Sequence, residues 1–237
     1  MSKKRKTQRH KGLSNGKTQR RSHSKRTTTA VDYLLPFGKP DGDTFQSMIN
    51  PEYLLARPGA GEMRPTLASQ LCQVLITAQN LFGERDHSYT FLGFEFVNGA
   101  PRLLRQHDGK YLIIQLYLNA MHNPIQAYSQ IAHEGVHMLS PRHDGRVSVM
   151  EEGLAYFFSN WYILQYFGVM PPQSELKSYD IALELVDKLM SKDAHGIKKM
   201  RQEEPTISLF TKELVLKYYP AISERTAEKL VAPFDKG

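Results

Sequence analysis

Residues 133–137 (His-Glu-Gly-Val-His) have the residue types and the spacing of a metal site. If this HExxH segment is a helix, the two histidines lie one turn apart on one face and can bind the same ion. Glu134 lies beside that ion without having to bind it. It can therefore take a proton from water at the metal and pass it to a leaving amine. The pattern predicts a zinc hydrolase site, provided that a third ligand exists.

The residues around the motif predict a helix. Asn123 supplies an N-cap side chain, and Pro124 stands at the first helical position, where its missing N–H costs nothing. Apolar residues recur at helical spacing on a face separate from the histidines: Ile125, Tyr128, Ile131 or Ala132, and Leu139. Gly135 costs ~1 kcal/mol in a helix interior. We therefore expect it to allow close approach of either substrate or a neighbouring helix.

A second predicted helix begins near Val149 and carries two adjacent acidic residues, Glu151 and Glu152. Its apolar residues follow three- and four-residue steps, as on a buried helix face: Met150, Leu154, Phe157, Trp161 and Leu164. Carboxylates favour a helix N-terminus in any protein. One of these two can also complete the metal site, because catalytic zinc takes three protein ligands and a water.

Together the two motifs resemble those of the gluzincin metallopeptidases. In that family a second helix carries a glutamate ligand, often in a Glu-Gly-(Leu/Phe)-Ala segment, which residues 152–155 (Glu-Gly-Leu-Ala) match. The resemblance covers roughly residues 110–165. It implies a Zn²⁺ ion bound by His133, His137 and Glu152, rather than Glu151, with Glu134 as the general base.

The chain departs from the family pattern at two points. Only 14 residues separate His137 from Glu152, fewer than in the best-known members. Tyr156 also stands where thermolysin-like members have an aspartate that supports a zinc-bound histidine.

His143 offers an alternative third ligand, because it follows His137 by six residues, the histidine spacing of the metzincins. In that family a glycine turns the chain so that the third imidazole meets the metal. Here Ser140 takes the place of that glycine, and Pro141 restricts Ser140 to extended conformations. We therefore favour Glu152 and expect residues 143–145 (His-Asp-Gly) to form an exposed turn.

Composition predicts one domain preceded by a basic tail. The chain has 237 residues, of which 41% are hydrophobic, enough for a substantial core. Residues 1–28 hold 11 of the 31 basic residues and no acidic residue, which leaves 20 basic against 24 acidic groups. Since Leu13 is the one large apolar residue of this tail besides Met1, we predict that the tail is disordered. Residues 29–237 are then a single zincin-like metallopeptidase domain.

The tail has three possible uses. Residues 3–6 (Lys-Lys-Arg-Lys) can act as a nuclear-import signal in a eukaryote, or the tail can contact nucleic acid without sequence preference. It can equally be a solubilising extension. No apolar run reaches the roughly 18 residues of a membrane span, and no apolar signal-peptide core follows the basic start. We therefore predict a cytoplasmic protein with no membrane contact; a nuclear location stays open for a eukaryotic source.

A lone cysteine fits the reducing compartment that this location implies. Cys72 lies within an apolar helical pattern, which favours a core position over a nucleophile. No feature of the sequence predicts the oligomeric state.

The predicted fold class is α+β, with a small sheet ahead of the metal helix and a helical C-terminal half. A helix opened by residues 64–66 (Arg-Pro-Thr) is expected to run to Phe82, ended by Gly83. Strands are expected at residues 90–97, 102–105 and 111–118, with a tight turn at Asn98-Gly99. Later helices are expected at residues 174–191, 194–202, 206–219 and 223–231. Ser174 is the predicted cap of the first of these, and Pro205 the predicted start of the third.

The resemblance also implies where a peptide or protein substrate binds. In gluzincins an edge strand near the metal helix holds the substrate backbone by strand addition, which draws attention to Gln115 and residues 119–122. A later Tyr or His often stabilises the oxyanion. Tyr218 and Tyr219 are candidates for that role, although both can equally be core aromatics.

The predicted function is that of a zinc metallopeptidase, in which Glu134 and zinc activate water for attack on a peptide carbonyl. Two alternatives stay open. One is a binding or regulatory protein that keeps the zincin fold without turnover and contacts nucleic acid through its tail. The other is a protease that its tail brings to nucleic-acid-bound proteins.

Overall fold

A computed structural model of the chain describes residues 66–106, 109–142, 144 and 146–235. The predicted disorder of residues 1–28 and the packing of the segment up to residue 65 lie outside these residues. His143, the alternative third ligand, lies outside them as well.

The sheet has three strands: β1 (Thr90–Val97), β2 (Arg102–Gln106) and β3 (Tyr111–Tyr117). β3 lies in the middle, parallel to β1 and antiparallel to β2. The predicted strands are confirmed, but the chain bends at Asn98-Gly99 without forming a hairpin, because β1 and β2 lie on opposite sides of β3. Leu112, Ile114 and Leu116 of β3 are fully buried in the common core, so the sheet backs the helices.

Three longer helices follow the predicted pattern: α1 (Leu67–Phe82), α2 (Pro124–His137) and α3 (Val149–Phe167). The Asn123 side chain caps α2 by accepting from the backbone N–H of Gln126 at 3.1 Å, as predicted. The Ser148 hydroxyl caps α3 by accepting from the N–H of Glu151 at 3.2 Å. The first turn of each helix in the predicted metal site is therefore fixed by a side-chain N-cap, Asn123 for α2 and Ser148 for α3.

The C-terminal half is helical, as predicted, but with shorter elements: α4 (Lys177–Met190), α5 (Gly196–Met200), α6 (Lys212–Tyr218) and α7 (Glu224–Val231). The prediction that Ser174 caps α4 is wrong, because its hydroxyl accepts from the N–H of Leu176 before the helix begins. Pro205 starts no helix either. Residues 207–209 form a 3₁₀ turn, and α6 begins where Thr211 supplies a cap.

Helix α3 is the centre of the molecule. It packs against both α2 and α4, and its residues are buried on every side rather than along one stripe, as in a helix enclosed by its neighbours. Leu164, which the sequence placed on the buried face, is 37% exposed. None of the helices in the described part of the chain has the length and apolarity needed to cross a bilayer.

Cys72 is exposed, so the prediction of a core position is wrong. The buried positions of α1 include Leu71 and Val74, which belong to a different face of the helix from Cys72. The apolar residues around Cys72 in the sequence therefore did not determine which face of α1 the cysteine occupies.

A buried arginine joins segments that are distant in the sequence. Arg201 follows α5, and its guanidinium donates to the carbonyl oxygens of Phe82, Gly83, Glu84, Leu139 and Pro205 at 2.7–3.3 Å. The ends of α1 and α2 are thereby tied to the C-terminal half.

Candidate metal centre

Helices α2 and α3 bring His133, His137 and Glu152 to one point. The Nε2 atoms of the two histidines lie 3.3 Å apart. His137 Nε2 lies 3.3 Å from Oε2 of Glu152, and His133 Nε2 lies 3.7 Å from Oε1. Ligand atoms about 2.0–2.1 Å from a tetrahedral zinc ion are about 3.3–3.4 Å apart. Two imidazole nitrogens and a carboxylate oxygen therefore fit a zinc ion in both chemistry and spacing.

Glycines in both motifs set the distances between the helices. A Cβ on Gly135 would lie 2.4 Å from Cγ1 of Val74 on α1. The sequence left open whether Gly135 makes room for substrate or for a neighbouring helix. The structure shows that it makes room for α1. A Cβ on Gly153 would lie 2.6 Å from the carbonyl oxygen of Ala182 on α4. The contact at Gly153 brings α4 close to the N-terminal end of α3, where Glu152 lies.

Glu151, the neighbour of the predicted ligand, holds the other nitrogen of His137. Its Oε1 lies 2.8 Å from His137 Nδ1. Its Oε2 accepts from the hydroxyl of Ser208, which accepts in turn from the N–H of Ser148 at 2.7 Å. A carboxylate in this place fixes the orientation of a metal-binding imidazole. Tyr156, the residue at which the sequence departs from the thermolysin-like pattern, makes no such contact, and Glu151 is the carboxylate next to His137 Nδ1.

Burial and charge shift the pKa values of these groups in opposite directions. Burial alone would lower the pKa of His137, but the hydrogen bonds and charges of Glu151 and Glu152 raise it well above its ordinary value. Burial alone would raise the pKa of Glu152, yet the two histidines beside it hold that pKa far below its usual range. The negative charge that favours a proton on His137 equally favours a metal cation, which would displace that proton.

The carboxylate of Glu134 is buried beside the three ligands. Glu134 is 3% exposed and lines the same cavity as His133 and His137. Its charge acts on the hydroxyl of Tyr179. The structure therefore places the predicted general base at the centre without making it one of the ligands.

Sequence reasoning missed Tyr179, in the first turn of α4. Its hydroxyl donates to Glu152 Oε1 at 2.7 Å, and its ring lies against His133 at a centroid distance of 6.1 Å. Burial, together with the charges of Glu152 and Glu134, raises the pKa of the hydroxyl, so it remains a donor at neutral pH. No motif marks this residue. The one available signal was its place at the start of the helix after the ligand-bearing helix.

The tyrosines named from the sequence do not lie at the centre. Tyr219 is buried and donates to the carbonyl oxygen of Asp193 at 3.0 Å. Tyr218 donates to the carboxylate of Glu203. The reading of Tyr219 as a core aromatic is therefore correct, and Tyr218 is part of a surface contact.

Gln115 is also not placed to bind substrate. It lies on β3, the central strand, and its side chain accepts from Arg102 at 2.7 Å and donates to Glu95 at 2.8 Å. Residues 119–122 belong to a 3₁₀ turn (Leu118–His122) and do not line the cavities at the centre. Among the described strands, β2 provides the edge next to the centre.

Two adjoining cavities, which we call the two arms of one cleft, lie at the candidate metal centre. The first arm is a cavity of about 200 Å³ that includes Leu103 and Val147. The second is a cavity of about 340 Å³ on the side of Ser159 and Pro172. His133, Glu134 and Tyr179 line both arms, so these side chains lie where the two arms adjoin.

Comparison with known proteins adds nothing to this picture. No protein-family model, no curated protein and no solved structure matches the chain. Any assignment of function therefore rests on the geometry of the site itself.

Proposed function

We propose that this protein is a zinc-dependent metallopeptidase of the gluzincin type, with a zincin-like fold. The observation that carries the proposal is the convergence of His133, His137 and Glu152 beside the buried carboxylate of Glu134. The order of the elements supports it, because a small sheet precedes the HExxH helix and a second helix carries the third ligand.

Each side chain has a definable task in such an enzyme. When bound, a zinc ion supplies a Lewis acid that lowers the pKa of water and polarises a carbonyl oxygen. Glu134 accepts a proton from the attacking water and passes it to the leaving amine. Glu151 fixes the His137 imidazole through Nδ1. Tyr179 would stabilise the negative charge that develops on the substrate carbonyl oxygen by turning its one hydroxyl hydrogen from Glu152 to that oxygen.

The substrate backbone binds along β2 rather than along β3, which is the central strand. Among the described strands none pairs with the outer edge of β2, and its residues Arg102, Leu103 and Arg105 line the first arm of the cleft. An extended peptide can add to such an edge through main-chain hydrogen bonds. A peptide bound in this way would have one of its peptide bonds beside the proposed metal centre.

Glu134→Gln tests the proposal. The amide cannot accept a proton, so the variant should retain about one zinc ion per chain and lose turnover by a factor of at least 10²–10⁴, the usual contribution of a general base. The measurements are metal analysis of both purified proteins and cleavage of a peptide library by both.

Wild-type activity in the Glu134→Gln variant would refute the catalytic role. Zinc binding by both proteins with turnover by neither would instead favour the alternative of a binding protein that keeps the fold without catalysis.

A further inference from the structure

The two arms of the cleft differ in charge. The first arm is lined by four arginines, Arg102, Arg105, Arg142 and Arg146, and, at its inner end by the candidate metal centre, by Glu134, Glu151 and Glu152. The second arm is lined by uncharged polar side chains, among them Gln126, Gln130 and Gln173. Its one acidic residue, Glu134, belongs to both arms. Because residues 29–237 carry more acidic than basic groups, this cluster of positive charge is a local feature of the cleft.

Three of the four arginines already have partners. Arg102 donates to Gln115 at 2.7 Å. The side chains of Arg142 and Arg146 both lie next to Asp144, whose carboxylate pairs with the first and is 3.8 Å from Nε of the second. These contacts hold the three arginines in place around the first arm.

Arg105 is the fourth arginine of the first arm. It is half-buried and, within the described part of the chain, forms no ion pair or hydrogen bond. Residues two apart on a strand share a face, so Arg105 lies on the same face as Leu103. Their partners across the sheet, Leu112 and Ile114, are fully buried. A guanidinium on this inner face loses solvation, which a bidentate carboxylate would replace.

We propose that this cleft binds peptides with a carboxylate on one side of the scissile bond and uncharged residues on the other, and that Arg105 binds the carboxylate. The inference rests on the proposed peptidase function and names its substrate class. The carboxylate comes from an aspartate or glutamate side chain or from the peptide C-terminus. Its charge complements the arginines of the first arm, whereas the amides of the second arm select uncharged side chains.

A peptide fits the first arm better than a nucleic acid does. The cavity of about 200 Å³ has room for a side chain but not for a duplex. Single-stranded nucleic acids bind on exposed aromatic rings that stack with their bases. Tyr179 is the one aromatic residue that lines this arm, and its hydroxyl is bonded to Glu152.

The test measures binding without requiring turnover. Full-length Glu134→Gln protein loaded with zinc is titrated with fluorescent peptides in which one position at a time is Glu or Gln, each with a free or an amidated C-terminus. We expect the preferred Glu peptide to bind roughly tenfold to a hundredfold more tightly than its Gln partner, as for a hydrogen bond to a charged group. A preference that instead follows the free C-terminus assigns the carboxylate to the chain end.

The contribution of Arg105 is isolated by matched variants. Adding Arg105→Gln should abolish the preference, and Arg105→Lys should keep part of it. Arg225→Gln changes an exposed arginine of α7 and should leave the preference intact. All variants keep residues 1–28, so the charge of the tail cancels in the comparison. Equal melting temperatures show that each variant is folded.

Equal affinity for Glu and Gln peptides at every position, or a preference that survives Arg105→Gln, would overturn the inference. So would tighter, Arg105-dependent binding of a single-stranded oligonucleotide. Selective binding of acidic peptides by Glu134→Gln, combined with a wild-type protein that cleaves none of them, would support the role of Arg105 and refute the peptidase function. The two proposals can therefore fail separately.

Discussion

The two adjacent glutamates of α3 contact different nitrogens of the His137 ring. Glu152 lies 3.3 Å from Nε2 of the imidazole, and Glu151 lies 2.8 Å from Nδ1. Neighbouring residues on a helix point in different directions, so the two carboxylates reach opposite nitrogens of one ring. The helix dipole is enough to explain two acidic residues near a helix N-terminus in any protein. Here, however, each of the two carboxylates also contacts a different nitrogen of His137.

The choice between Glu152 and His143 as third ligand is decided by metal retention. Glu152→Ala should release zinc under mild chelation, because it removes one of three protein ligands. His143→Ala should retain it. Glu151→Gln serves as a graded control, with zinc affinity lowered roughly 10–100-fold as for other partners of metal-bound histidines. Zinc content after dialysis against a chelator measures all three.

The opposite result, loss of zinc from His143→Ala and retention in Glu152→Ala, would assign the site to the metzincin arrangement. The Glu-Gly-Leu-Ala match would then have no role in metal binding.

At the scale of elements, close contact between helices at glycine determines the geometry of the centre. Gly135 brings α1 against α2, and Gly153 brings α4 against α3. Through the contact at Gly153, Tyr179 reaches Glu152. The glycine in the HExxH segment therefore serves packing rather than chemistry.

Gly135→Ala should destabilise the protein even though alanine favours a helix. The new Cβ would lie 2.4 Å from Val74 Cγ1, and forcing an extra methyl group into a packed core costs about 1–3 kcal/mol, against a gain of ~1 kcal/mol in helix propensity. Urea unfolding measures the change. In a Val74→Ala background the cost should shrink, because the clashing methyl group is gone.

An increase in stability of Gly135→Ala in the wild-type background would contradict this packing. So would an equal cost of the substitution with and without Val74.

The sequence predicts where helices begin and end when the residues that fix those positions lie next to them in the chain. The start of α2 follows from Asn123 and Pro124, and the end of α1 follows from Gly83, which act on backbone only a few residues away. The strand order could not be predicted, because it depends on which strand inserts between the other two. Tyr179 was missed for the same reason, since its place depends on a contact between Gly153 and Ala182, residues far apart in the chain.

At the scale of the whole molecule, the charge is divided between a basic tail and a slightly acidic remainder. If residues 1–28 bind nucleic acid, affinity should not depend on sequence and should fall steeply with salt, because neutralising phosphates releases counterions. Deleting the tail should abolish binding and leave the unfolding transition unchanged. Titration of a labelled oligonucleotide at several salt concentrations measures this, and equal binding by full-length and truncated protein would contradict it.

Arg201 has a consequence for how the molecule opens. Its guanidinium bonds to residues after α1, to Leu139, two residues beyond the candidate metal ligand His137, and to Pro205. Moving any one of these segments away leaves donors of a buried cation without acceptors, which is costly. The three segments therefore cannot fray one at a time and belong to one cooperative unit. The backbone beneath the metal centre should exchange its amide hydrogens only when that whole unit unfolds.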